Sequence, residues 1–191
     1  MVIGVLALQG AFSEHLDVLA KLNIETRKVK KPEHLEGLAG LIIPGGESTT
    51  LGRLMTKYEL FDPIKDLVQR GRLALFGTCA GMIIAASEVV GYDQPRLGVI
   101  DIAVRRNAYG RQIDSFEADL EVPAIGGPPV RAVFIRAPYI EMVGPGVEVL
   151  AEHDGHPVMA RTERVLVASF HPELTTDYRV HEYFVQQIAG K

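Results

Sequence analysis

The stretch Leu73-Ala74-Leu75-Phe76-Gly77-Thr78-Cys79-Ala80-Gly81-Met82-Ile83-Ile84 constrains the fold of this chain more than any other. Its first apolar run has the length of a buried parallel strand, a turn of small residues follows, and a second apolar run leaves as a helix. Gly77 and Gly81 flank the turn where the backbone must reverse without Cβ clashes. A strand buried on both faces needs helices on both sides of its sheet, and the residues before it supply them. Val2 to Leu8, Glu25 to Val29 and Leu38 to Ile43 read as strands. Between them, Phe12, Leu16, Val18, Leu19 and Leu22 recur at helical spacing. A further helix starts near Ser48 with Leu51, Leu54 and Met55 on one face, and another opens at Pro63, a residue suited to a first turn. Strand and helix thus alternate, which predicts a mostly parallel sheet covered on both faces.

From Leu97 the texture changes to short β-rich segments: Val99 to Val104, Phe116 to Val122, Val130 to Ile135, Val147 to Glu152, Val158 to Arg161 and Val165 to Phe170. Their connections are too short for crossover helices, so antiparallel strands are added in the C-terminal half. Asp154-Gly155 is a hairpin signal, and Gly126-Gly127-Pro128-Pro129 reads as a loop between strands of similar texture. A helix carrying Val180, Phe184 and Ile188 on one face closes the chain. At 191 residues, the expectation is a single domain over 1–191.

Cys79 sits at the tip of the strand-turn-helix. Gly-x-Cys-x-Gly there has the form of a nucleophile elbow with a thiol in the hydroxyl's place. A single buried cysteine is otherwise an inert core residue, so the elbow needs partners. Ala168-Ser169-Phe170-His171-Pro172-Glu173-Leu174 supplies them at the end of the last strand. Catalytic groups in open α/β sheets gather outside the carboxyl ends of strands, so His171 can meet Cys79 at one rim. A neutral imidazole can take the thiol's proton, and Glu173 can hold the ring in its useful tautomer. In Pro44-Gly45-Gly46-Glu47-Ser48-Thr49-Thr50 the glycines lack a Walker lysine and precede an acid, which argues against phosphate. A better use is an oxyanion hole formed by the backbone N–H groups of Gly46 and Ala80.

Bulk properties narrow the partners. The formal net charge of −4 offers no general attraction for nucleic acid or anionic lipid. One cysteine forms no internal disulfide, and no stretch reaches the ~18 apolar residues of a membrane span, so a cytoplasmic protein is expected. His153 and His156 flank the hairpin turn without a third metal ligand and read as solvated; His15, His34 and His181 read as surface or satisfied, partly buried residues. No metal or cofactor is expected.

The set Gly77-Thr78-Cys79-Ala80-Gly81, Pro44 to Thr50 and Phe170-His171-Pro172-Glu173 resembles the class I, triad-type glutamine amidotransferases. Leu8-Gln9-Gly10, the segment Arg106 to Gln112, Asp114-Ser115-Phe116-Glu117 and Phe134-Ile135-Arg136-Ala137-Pro138 resemble, within that family, the glutaminase subunits of pyridoxal 5′-phosphate synthases. Many class I relatives carry a glutamine just beyond the second elbow glycine; Met82-Ile83 stands there and suits this branch. The resemblance implies a flavodoxin-like three-layer sandwich. It implies Cys79 as nucleophile, His171 as base and acid, and Glu173 as orienting carboxylate. It places Gly46, Glu47, Ser48, Arg106, Ile135 and Arg136 around L-glutamine, and Gln9 at a partner interface or near the oxyanion hole. It also implies a separate synthase subunit, in a hetero-oligomeric complex, that receives the ammonia. A glutaminase for another pathway, of the imidazole glycerol phosphate synthase type, and a non-enzymatic redox or binding protein are the alternatives.

Overall fold

The computed structural model describes residues 1–107 and 115–190. The first half alternates as expected: β1 (Val2–Leu6), α1 (Phe12–Lys21), β2 (Glu25–Val29), β3 (Gly40–Ile43), α2 (Ser48–Lys57), α3 (Phe61–Gln69), β4 (Ala74–Thr78) and α4 (Ala80–Ala85). Then come β5 (Ala86–Val89), β6 (Ile100–Arg105), β7 (Ser115–Leu120), β8 (Val130–Ile135), β9 (Tyr139–Val143), β10 (Glu148–His153), β11 (His156–Arg161) and β12 (Val165–Ala168). The chain closes with α5 (Arg179–Tyr183), which widens into π-type turns over Phe184–Ala189.

Among the described residues, the main sheet has seven strands in the order β10-β11-β12-β4-β3-β1-β2. β12, β4, β3, β1 and β2 are parallel, and β11 and β10 add antiparallel at one edge. Successive residues of a strand point to opposite faces, and the central strands use both faces for burial. Leu41, Ile43, Leu75, Val165 and Val167 enter one core with Leu51, Met55 and Ile64 of α2 and α3. Ile42, Phe76 and Leu166 enter the other with Leu19, Phe170, Phe184 and Ile188. These layers form the flavodoxin-like three-layer sandwich.

Two smaller sheets, β5-β6-β9 and the antiparallel pair β7-β8, accompany the main one. Arg179 ties the β7-β8 loop to α5 by donating to the carbonyls of Gly126 (2.7 Å) and Pro128 (2.9 Å). Two strands escape the sequence pattern. The apolar run after Cys79 stays helical only to Ala85, because Ala86 turns to extended backbone (ψ 153°) and begins a parallel pairing with β6. β9 pairs antiparallel with β6 but exposes the consecutive residues Glu141 and Met142, which breaks the alternation a strand usually shows. The Asp154-Gly155 turn is a hairpin as expected, with both residues at positive φ (50° and 75°) and His153 opposite His156. Its histidines are not simply solvated: His153 stacks on Phe116 (5.2 Å) and His156 on Tyr139 (3.8 Å).

Candidate active site

Because β1, β3, β4 and β12 are adjacent and parallel, the segments leaving them converge on one rim of the sheet. Cys79 leaves β4 with φ 49° and ψ −103°, a conformation that L side chains rarely adopt and that costs about 1–3 kcal/mol. Packing holds it there. A Cβ on Gly81 would stand 2.0 Å from the Ile43 carbonyl oxygen, so only glycine lets α4 cross so close to β3. The Cys79 N–H donates to Ala168 at 2.8 Å, tying the elbow to the end of β12. The thiol is buried and lies 3.9 Å from the Ile135 carbonyl oxygen, at the end of β8.

Three residues beyond β12, His171 anchors its own backbone by donating to Val133 of β8 at 2.8 Å. Pro172–Leu174 form a short 3-10 turn that folds Glu173 back toward the preceding side chain. His171 Nδ1 and Glu173 Oε1 are 2.7 Å apart, and both residues are buried. Burial disfavours a charged His171, but hydrogen bonds with Cys79 and Glu173, reinforced by their charges, outweigh it and raise its pKa to about 10. Glu173 is pushed up by burial and pulled down further by His15 and His171, leaving it below the ordinary carboxylate range. The sequence suggests a neutral imidazole waiting for the thiol's proton. In the structure the ring already favours holding both of its protons.

The glycine turn after β3 completes the rim. Gln9 Oε1 accepts the Glu47 N–H at 3.1 Å, which places Gln9 against Gly46. Ala80 is the first residue of α4, where N–H groups have no acceptor within the helix. Glu47 caps α2, accepting from the N–H groups of Thr49 (3.1 Å) and Thr50 (2.7 Å) and from the Thr50 hydroxyl (2.8 Å). Desolvation is the largest single effect on its pKa and raises it, but these bonds together overcome it and lower the pKa to about 2. Arg106 reaches the same corner, donating to Gln94 Oε1 (2.9 Å) and Thr49 Oγ1 (3.3 Å), with Nη2 3.4 Å from Glu47. Its guanidinium lies 4.6 Å over the Tyr92 ring. Ser48 is buried and donates to Gln94 at 3.4 Å. Arg136 is exposed, with φ 44°. The motif residues 108–114 lie outside the described residues.

Thus Cys79, His171 and Glu173 come together, Gly46 lies against Gln9, the backbone carbonyl of Ile135 faces the thiol, and Arg106 joins Glu47. Sequence reasoning missed Gln94 and Tyr92, which stand between elements without a pattern of their own. It also placed His15 and His181 too near the surface. Both are fully buried behind Glu173. His15 shares the inner face of α1 with Val18 and Leu19, and His181 follows the buried Val180 in α5; these spacings were the available signal.

Residues 5–190 match the model of the SNO glutamine amidotransferase family. A pyridoxal 5′-phosphate synthase subunit PdxT of Pelotomaculum thermopropionicum is 58% identical over 187 residues, covering 98% of this chain and 95% of that protein. The protein of the same name from Carboxydothermus hydrogenoformans is 55% identical over 188 residues, 98% of each. The crystal structure of a glutamine amidotransferase, 55% identical, covers 100% of both chains with a TM-score of 0.95. No helix among the described residues is long and apolar enough to cross a membrane. By its sequence over nearly its full length and by its fold, the chain belongs to the SNO glutamine amidotransferase family.

Proposed function

We propose that this chain is the glutaminase subunit of a pyridoxal 5′-phosphate synthase and hydrolyses L-glutamine to L-glutamate and ammonia with Cys79, His171 and Glu173. The carrying observation is the convergence of a strained elbow cysteine with a buried histidine whose Nδ1 stands 2.7 Å from a carboxylate.

With its proton held by His171, the Cys79 sulfur attacks the side-chain amide carbon of glutamine, and the C–S bond forms as the carbonyl π pair moves to oxygen. The N–H groups of Gly46 and Ala80 receive that oxyanion. Collapse of the intermediate breaks the C–N bond while His171 gives its proton to the leaving nitrogen, releasing ammonia and leaving a thioester. Water then attacks with His171 as base, the C–S bond breaks, and glutamate departs. Glu173 keeps the ring oriented and balances its charge throughout.

Free glutamine is a zwitterion, so its pocket needs a cation and an anion. Gly46, Glu47, Ser48, Arg106, Ile135 and Arg136 surround it in this reading, with Glu47 ionised at any neutral pH and Arg106 braced by Gln94 and Tyr92. Residues 1–191 act as one cytoplasmic domain, and Gln9 lies at or beside the surface met by the synthase subunit of the hetero-oligomer, which receives the ammonia. The relatives' names support that partner.

The test is glutamate release from glutamine by the purified chain, alone and with a pyridoxal 5′-phosphate synthase subunit, with Cys79→Ala as control. Cysteine-dependent release that increases with the synthase is the expected result. Release indifferent to the synthase overturns the pathway, and no release in either state overturns the glutaminase reading.

A further inference from the structure

Behind the triad, a row of buried side chains runs away from the rim. Glu173 turns Oε1 toward His171, and its other oxygen, Oε2, is buried and accepts no hydrogen bond among the described residues. His15 Nε2 stands 3.5 Å from that oxygen and 3.2 Å from Thr78 Oγ1. On the other side of the ring, His15 Nδ1 is 2.8 Å from His181 Nε2, and His181 Nδ1 is buried without a hydrogen-bond partner among the described residues. His15, Thr78 and His181 are all 0% exposed.

These contacts select a tautomer. If His15 donated from Nδ1, His181 would carry its own proton on Nδ1, a buried donor with no acceptor among the described residues, and His15 would turn a lone pair, met only by the Thr78 hydroxyl, toward a carboxylate oxygen. If His181 donates from Nε2, its unpartnered Nδ1 is only a lone pair. His15 then holds its proton on Nε2, between Thr78 Oγ1 and Glu173 Oε2. Burying an unpaired donor is the costlier error, and a lone pair facing a carboxylate adds to it. Burial disfavours the charged form of both rings: it outweighs the raising pull of Glu173 and lowers His15 below its ordinary value, and with the neighbouring His15 it lowers His181 to about 3. The titratable groups around His15 are Glu173, His171 and His181, with Glu14 on its own helix.

We propose that His15, fixed in its Nε2–H tautomer by His181, is a positioning residue that holds Glu173 from the side opposite His171. The neutral N–H steadies the far carboxylate oxygen, so the near one keeps its place on the catalytic ring. This inference rests on the triad reading above.

The first test does not need a variant. Nitrogen-15 histidine spectra of the full wild-type chain should show His15 protonated on Nε2 and His181 on Nε2 at neutral pH. Nδ1 protonation of His15 overturns the proposal, whether or not the protein proves to be a glutaminase. The second uses the chain with its synthase partner. His15→Leu fills the space without a donor, and His15→Gln returns an N–H at similar reach. Relative to wild type, His15→Leu should lower kcat about 10- to 100-fold with KM for glutamine within about twofold. Its alkaline kcat limb should also move to lower pH, because a loosened Glu173 supports the charged His171 less. His15→Gln should recover most of both effects. A His15→Leu protein with wild-type kcat and pH profile overturns the proposal. So does equal loss in both variants with an unchanged pH profile, which marks a packing role alone. If the leucine variant does not fold, the tautomer and the glutamine variant decide.

Discussion

Gly45 lies directly against His171: a Cβ on Gly45 would stand 2.3 Å from His171 Cε1 and 2.9 Å from Nδ1. The turn proposed to offer the oxyanion hole and the ring proposed to move the proton therefore share one packing contact. Gly45→Ala should push the ring off its line between Cys79 and Glu173. A displacement of about 1 Å costs on the order of 100-fold in rate, so kcat should fall by that order while the melting temperature changes by only a few degrees. Glutamate release and a thermal melt of the same sample check this.

Cys79→Ala should abolish glutamate release, since neither step proceeds without the sulfur. The same variant should alter His171. Hydrogen bonding to Cys79 is one of the supports for the raised value of about 10, and Glu173 is another. In the variant the ring should titrate below about 10 yet above its ordinary value of 6.5, as read by the pH dependence of its nitrogen-15 shifts.

Raising a histidine's pKa in the folded state has a defined sign for stability. The contribution of His171 is fully present below 6.5 and is lost as pH rises through about 10. Urea midpoints of wild type and His171→Asn should therefore differ most near neutral pH or below, and converge as pH passes about 10.

Glu47 behaves oppositely. Its pKa of about 2 lies below the ordinary 4.5, so its contribution is present above 4.5 and is lost as pH falls through about 2. Glu47→Ala should destabilise the protein at pH 7 by about 1 kcal/mol, the usual loss for a helix cap. Denaturant unfolding at pH 7 and pH 2.5 should show that difference shrinking in acid.

Arg106→Ala removes a guanidinium that joins Gln94, Thr49, Glu47 and the Tyr92 ring at the edge of the proposed glutamine pocket. KM for glutamine should rise about 10-fold or more with a smaller change in kcat, because the group acts on binding and not on the reacting carbonyl. Initial rates across a glutamine series separate the two.

The sequence is most informative where one residue type alone satisfies the backbone. Gly77 and Gly81 around Cys79 announce the elbow, and the strands on either side announce the parallel sheet, because both depend on local sterics and period. Residues whose role depends on distant neighbours are harder to read. His15 and His181 are 166 positions apart and become partners only when α1 and α5 pack on the same face of the sheet. Gln94 has no periodic context and acquires meaning only through Arg106 and Ser48. β9 breaks the alternation rule because its pairing with β6 shifts register between Met142 and Ile140, which leaves Glu141 without an opposite residue and exposed beside Met142.

The seven-stranded sheet is open, and an open sheet ends in two rows of backbone groups that a second copy could extend. At one end, β2 displays the exposed Glu25 and Lys28, while Arg27 donates to the carbonyl of His34 at 3.3 Å. At the other, β10 departs from regular register between Val149 and Glu152, twisting its rim away from straight pairing. Charge guards one border and irregularity the other, so crowded copies of this chain meet no flat template on which to stack.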